Sequence, residues 1–169
     1  MEASQSASVP SPPVRREVLL FELNQQRYAL PSSGVQELTR ACAVQALPTA
    51  PAMILGVLNL RGQVVPVIDM RRRLALPDTA LDPNDYFVFA RVGQRLVALR
   101  VDRLLGIQEL DETPTAEAPH LPPSLLYVSG VAAVADGVIF IYDLDQFLSD
   151  AESAVLDEAL ARSDVGGGA

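Results

Sequence analysis

The chain has no lysine and no tryptophan, one cysteine (Cys42) and one histidine (His120). A single thiol excludes an internal disulfide, and one Cys with one His leaves no framework for a structural zinc, so no metal is expected. A lone thiol fits a reducing cytoplasm. No apolar run approaches the roughly 20 residues of a membrane span. The N-terminus has no basic start followed by an apolar stretch, so direct membrane insertion and a signal peptide are not expected. The sequence also lacks G-x-S-x-G, G-x-x-x-x-G-K and G-x-G-x-x-G, the loops that expose a nucleophile or cradle phosphates. No cofactor is expected.

Catalysis has little to draw on. His120 lies between Pro119 and Leu121 and reads as a solvated loop residue, not a base. Cys42 reads as a small buried hydrophobe. Glu109, Asp111 and Glu112 have no second acidic cluster to face and read as solvated; Asp143 and Asp145 read as the start of a short helical turn. Arg71–Arg73 read as a solvated face. The charge balance, 13 Lys+Arg against 21 Asp+Glu and net -8, repels nucleic acid, whose phosphates need a clustered positive field. The exclusive use of arginine is a compositional bias given no functional weight. The sequence does not read as that of an enzyme.

What is present is aliphatic. Hydrophobic residues make up 49% and aromatics only 5%, so a core of Val, Leu, Ile and Ala is expected. At 169 residues the chain suits one domain or two small interlocked ones. Residues 1–16, rich in Ser, Pro and Ala, read as a disordered tail. Short strands then recur: 17–23 and 27–30 around Asn24-Gln25-Gln26, an extended run 35–38 in which Val35 and Glu37 share one face, 86–92 and 95–101 around Gly93-Gln94, and 104–110. Runs 128–135 and 138–142 flank Asp136-Gly137, the best short-range hairpin signal in the chain. One helical turn is expected near Pro51. Residues 111–123 carry four prolines and read as a mobile loop. Many short strands at near-regular spacing argue for an all-β fold of small barrels or a sandwich. Only the end is clearly helical: Ser149 and Glu152 fit a capping box, and Leu148, Val155, Leu156, Ala159 and Leu160 recur at helical spacing. Residues 163–169 read as a flexible tail.

The centre of the chain is the stretch 56–73, G-V-L-N-L-R-G-Q-V-V-P-V-I-D-M-R-R-R. Two apolar runs flank Arg61-Gly62, the pattern of two strands joined by a tight turn, with Gly62 free to take a positive φ. Asn59 precedes Arg61 by two residues, which strand alternation places on the same face. Pro66 removes one ladder donor, so the second arm is expected at an edge or a bulge. Spacing alone leaves two readings open, an ordinary solvated turn arginine and a rigidly presented recognition arginine.

The segment G-V-L-N-L-R-G-Q-V-V-P-V-I-D-M-R resembles the most recognisable part of the CheW family of chemotaxis coupling proteins. Other segments resemble that family in order and spacing: Tyr28-Ala-Leu, Val35-Gln-Glu-Leu, Leu47-Pro and Pro51-Ala-Met-Ile-Leu-Gly upstream, then Val92-Gly-Gln-Arg, Val101-Asp102, Tyr127-Val-Ser-Gly130 and Ile139-Phe-Ile-Tyr-Asp-Leu downstream. The likeness covers residues 17–149. It implies two small five-stranded SH3-like β-barrels packed on a shared core, with residues 17–162 forming one domain of two intertwined subdomains and a C-terminal helix. It also implies a cytoplasmic adaptor, recruited to membrane-associated receptor arrays, that links chemoreceptor signalling tips to the regulatory domain of a CheA-type histidine kinase. Carried over residue by residue, the receptor contacts are Val35, Glu37, Asn59, Arg61 and Gly62, with the receptor tip lying helix-in-groove. Val97, Val101, Leu104 and Ile107 are expected to line a kinase contact or groove, although core packing explains them equally well. Pro31-Ser-Ser, Ala98 and the loop 111–123 depart from the usual family pattern. A free-standing SH3-like or OB-like barrel binding a peptide or another protein partner is the alternative.

Overall fold

The computed structural model describes residues 14–114 and 126–166. Ten strands form two five-stranded sheets. The first is a closed barrel in the order β1 (Val14–Leu23), β2 (Gln26–Pro31), β10 (Gly137–Tyr142), β9 (Val128–Val134), β8 (Arg103–Pro114). The second is ordered β3 (Val35–Arg40), β6 (Tyr86–Val92), β7 (Arg95–Val101), β5 (Gln63–Asp69), β4 (Ile54–Leu60). Each sheet is antiparallel except for one parallel seam, β2 with β10 and β5 with β7. The chain therefore weaves both ends of the sequence into the first sheet and its middle into the second.

Strand alternation explains the three apolar clusters. In β6, Phe87 and Phe89 point into the second sheet with Val65, Val67, Leu96 and Ala98, while Val88, Ala90 and Val92 point into the larger core, which also takes residues from β1 and β2. Val18, Leu20, Ala29, Leu110, Ala132, Ile139 and Ile141 fill the barrel. The expectation of a predominantly β fold with two five-stranded units and one C-terminal helix holds.

Some boundaries differ. β1 begins at Val14, so residues 14–16, placed in the tail from sequence, are strand. Composition hid this because the segment is held from outside, by Arg15 against Glu109 and Asp111 and by Arg16 against Glu112. Glu112, read as solvated, is consequently only 3% exposed. β5 is an interior strand, not an edge. Val57 exchanges both backbone hydrogen bonds with Gln45, so the Val57–Pro66 pair lies where β4 and β5 do not bond, and β5 meets β7 only from Val67. Pro66 thus costs no ladder bond, and the bulge lies on the other arm, between Ile54 and Gly56.

Helix α1 (Met70–Arg73) is a single turn capped by Asp69, whose side chain accepts from the Arg71 N–H. Of its three arginines, read as a solvated face, only Arg72 is exposed. Arg71 forks onto Asp102 at 3.1 and 2.6 Å and donates to the Pro77 carbonyl; Arg73 donates to Glu152 and to the Phe147 carbonyl. Cys42, expected inside, is exposed. Asp143 caps the 3₁₀ turn Leu144–Gln146 by accepting from the Asp145 N–H. Helix α2 (Asp150–Gly166) opens on the expected capping box, Ser149 N–H to Glu152 at 2.9 Å and Glu152 N–H to Ser149 at 3.1 Å. His120 lies outside the described residues.

Candidate functional site: the Glu37–Arg61 corner

The β4–β5 hairpin closes in a two-residue loop, Leu60 opposite Gln63, with Arg61 at φ 52° and Gly62 at φ 87°. Positive φ at both central positions is the turn whose twist matches the flanking strands. Gly62 accepts it freely. Arg61 does so against the steric preference of an L-residue. Asn59 stabilises the turn, because its Oδ1 accepts the Gly62 N–H at 2.7 Å. Asn59 therefore clasps the turn through its Oδ1.

Arg61 Nη2 donates to both oxygens of Glu37, at 2.9 Å each. The Arg61 side chain stays 71% exposed, while that of Glu37 is 29% exposed. Glu37 belongs to β3 and Arg61 to the tip of β4–β5, and β3 and β4 are the two outer strands of the second sheet. The pair therefore joins opposite edges of one curled sheet. A second closure lies further along the same seam, where Gln45, beyond the end of β3, bridges Val57 of β4 with hydrogen bonds of 2.9 and 2.8 Å. Gly56 sits beneath that bridge. A Cβ there would lie 2.3 Å from the Gln45 carbonyl oxygen.

Val35 and Glu37 do not share a face. A bulge between them sets Val35 opposite Ala90 and Glu37 opposite Phe89. Val35 accordingly packs toward the larger core and Glu37 toward the interior of the second sheet. The second group of expected contacts also separates. Val97 and Val101 are fully buried, Leu104 packs partly against the larger core, and Ile107 is 60% exposed. Only Ile107 presents most of its surface to a partner.

Sequence reading passed over the most elaborate polar cluster. Arg100 is 1% exposed and places all five N–H groups: Nε on Asp85, Nη1 on Asp69 and the Thr79 carbonyl, Nη2 on the Thr79 hydroxyl and the Ala80 carbonyl, at 2.8–3.0 Å. It lies on the same face of β7 as Leu96 and Ala98. An arginine at an inward register position is the signal that could have revealed it.

The site contains no group arranged for bond-making. Among the described residues no cluster of three or more His, Cys, Asp or Glu is placed to hold a metal. No helix is long and apolar enough to cross a membrane, among the described residues. What the corner offers is a fixed cation beside a carboxylate on a tip stiffened from within.

Comparison with known proteins fits this geometry. Residues 17–152 match the CheW-like domain. The chain is 31% identical over 146 residues to the chemotaxis protein CheW of Klebsiella aerogenes, covering 85% of this chain and 88% of that one. It is 31% identical over 110 residues to protein FrzA of Myxococcus xanthus, covering 65% and 66%. The crystal structure of the scaffolding protein TtCheW from Thermoanaerobacter tengcongensis superposes with a TM-score of 0.73 at 22% identity, covering 82% of this chain and 96% of that one, which shows the shared fold. The chain belongs to the CheW-like domain family.

Proposed function

We propose that the Glu37–Arg61 corner is the receptor contact of an adaptor that couples chemoreceptor signalling tips to a CheA-type histidine kinase. The adaptor role follows from family membership. The assignment to this corner is supported by one observation: an exposed hairpin tip carries an arginine braced by both oxygens of Glu37, on a turn closed from behind by Asn59. The positive φ belongs to the turn type, whereas the two-oxygen brace from Glu37 is more than a solvated turn arginine needs. Arg61 keeps Nε and Nη1 for a partner, a planar fork of donors already fixed in direction. Val35, on the other side of the bulge, supplies apolar contact, and Gly62 keeps the tip low. Ile107 offers an apolar contact to the kinase regulatory domain, while Val97, Val101 and Leu104 lie in or against the larger core. The adaptor works in the cytoplasm, gathered at membrane-associated receptor arrays, where many weak contacts reinforce one another through effective concentration. It does not act as an enzyme.

Co-sedimentation with receptor-tip fragments and a CheA-type kinase from the same cell tests this, with kinase autophosphorylation followed in the same tubes. Ternary pelleting with an altered kinase rate is expected. Arg61→Glu, which sets a second carboxylate beside Glu37, should leave kinase pelleting intact and reduce receptor pelleting at least tenfold. A folded Arg61→Glu variant that pellets with receptor as the native chain does would remove Arg61 from the contact.

A further inference from the structure

Helix α2 is joined to the molecule unlike any other element. Of its described side chains only Leu156 and Ala159 are fully buried, with Leu160, Glu152 and Ser153 partly covered, while Val155 is 43% exposed. Among the described elements none runs alongside it as the strands do alongside one another. An apolar stripe this narrow holds a helix weakly. The remaining attachment is polar and comes from two arginines of the second sheet and its adjoining turn. Arg73, at the end of α1, donates to Glu152 Oε1 at 2.9 Å and Oε2 at 3.0 Å, with its guanidinium 4.9 Å over the Tyr127 ring. Arg95, at the start of β7, pairs with Asp157. The connection into the helix is anchored in the larger core by Leu144, Phe147 and Leu148, with Asp145 also accepting the Gly93 N–H at 3.1 Å. The weakly held part is therefore the helix itself, from Asp150.

The Arg73–Glu152 fork lines one hollow, with Met53, Arg72 and Leu76; Arg95 lines another, a groove of about 530 Å³. Its walls are the start of β5 at Val64 and Pro66, the β6–β7 hairpin at Arg91 and Arg95, and the approach to α2 at Leu148 and Ser153. β5 and β7 have not yet paired at this end, since their ladder starts at Val67 and Ala98, so the groove enters a gap between two strands. Gln63, next to the Arg61-Gly62 turn, lines it too. The first turn of α2 is thus a movable third wall beside the recognition hairpin. Elements with few buried apolar contacts open below the free energy of global unfolding.

We propose that α2 is a detachable strap: it undocks as a unit, independently of both sheets, and its undocking opens the groove beside the β4–β5 hairpin. The claim rests on the two clips and the groove and stands whether or not the hairpin contacts a receptor.

Hydrogen exchange on the full chain tests it. The amides of α2 are expected to exchange much faster than those of β6 and β7. Glu152→Gln keeps the capping box, since Gln serves at that position, but removes the charge from the Arg73 fork; it should speed α2 exchange roughly tenfold. Arg95→Ala should speed it by up to about fivefold, because an exposed pair contributes less. Neither should change β6 or β7. A second readout follows the groove: with Leu148→Cys in a Cys42→Ser chain, alkylation at position 148 should accelerate with Glu152→Gln by the same factor as α2 exchange. Protection of α2 equal to that of β6 and β7 overturns the proposal. So does faster α2 exchange with an unchanged labelling rate at position 148.

Discussion

Two arginines close opposite ends of the same sheet, and they do so in opposite ways. Asp69, Asp85 and Arg100 lie at the end where β5 stops and β6 starts, while Glu37 and Arg61 lie at the hairpin end. Between them runs the apolar interior of Val65, Val67, Phe87, Phe89, Leu96 and Ala98. Arg100 is buried, and each of its donors is taken by a carboxylate, a hydroxyl or a carbonyl of residues 79–80. Arg61 is 71% exposed and has one partner. The chemistry is the same fork of donors against acids. Solvent decides what each is worth: a buried charge must be fully matched, whereas an exposed one keeps donors to spare. One end is closed to further partners; the other leaves donors open.

The contrast breaks most visibly at the buried end. Arg100→Met should lower unfolding free energy by about 3–5 kcal/mol, because the buried carboxylates of Asp69 and Asp85 lose their shared guanidinium and residues 79–80 lose their anchor. Urea denaturation measures this. A loss below about 1 kcal/mol would mean that water reaches the cluster and that the two arginines do not differ in kind.

Gly56→Ala ranks next, because it attacks the closure of the sheet and spares both arginines. The added Cβ meets the Gln45 backbone, which cannot swing aside as a side chain would, so the Gln45–Val57 bridge must part. Overpacking of this kind costs about 1–3 kcal/mol. Amide exchange at Val57 should rise sharply while β1 and β2 stay protected. Even loss throughout both sheets would show that the bridge supports the whole molecule.

How much of this the sequence discloses depends on the range of the interaction. Alternation, turn residues and the Ser149–Glu152 box are local, and they placed the strands, the turns at 61–62 and 93–94 and the start of α2. They came within one residue at the other two hairpins, read at 24–26 and 136–137 and found at 24–25 and 135–136. The family likeness supplied the two-unit fold. The misplaced features all depend on distant partners. Residues 14–16 become strand only against Glu109, Asp111 and Glu112; Arg71 and Arg73 lose solvent only because Asp102 and Glu152 arrive from elsewhere. At the site, the turn was legible, but the bulge that sends Val35 and Glu37 to opposite faces was not, since one extra residue in an edge strand leaves no compositional trace.

A third arginine fork lies between these extremes and carries a pH signature. The hydrogen bond from Arg73 holds the Glu152 carboxyl below its usual 4.5, with the Ser149 N–H adding to the same effect. Its folded value is depressed, so its stabilisation is fully present above about 4.5 and is lost as pH falls through the folded value. The difference in unfolding free energy between the native chain and Glu152→Gln should therefore be largest near pH 6 and shrink toward zero in acid. A difference that stays constant with pH would assign the effect of the substitution to shape alone.

The smallest change in stability is expected where the functional effect is large. Arg61→Gly removes an exposed ion pair worth about 0–1 kcal/mol. It also relieves the positive φ of a non-glycine residue, a cost of roughly 1–2 kcal/mol partly offset by the greater backbone freedom of glycine in the unfolded chain. These terms nearly cancel, and the urea midpoint should move little. Receptor pelleting should nevertheless fall as far as it does for Arg61→Glu, because the turn persists and only the fork is gone. A stability loss beyond about 2 kcal/mol would show that the Glu37 clasp carries the fold at this end as Arg100 does at the other. Unchanged stability with lost coupling would locate the difference between the two arginines in their use.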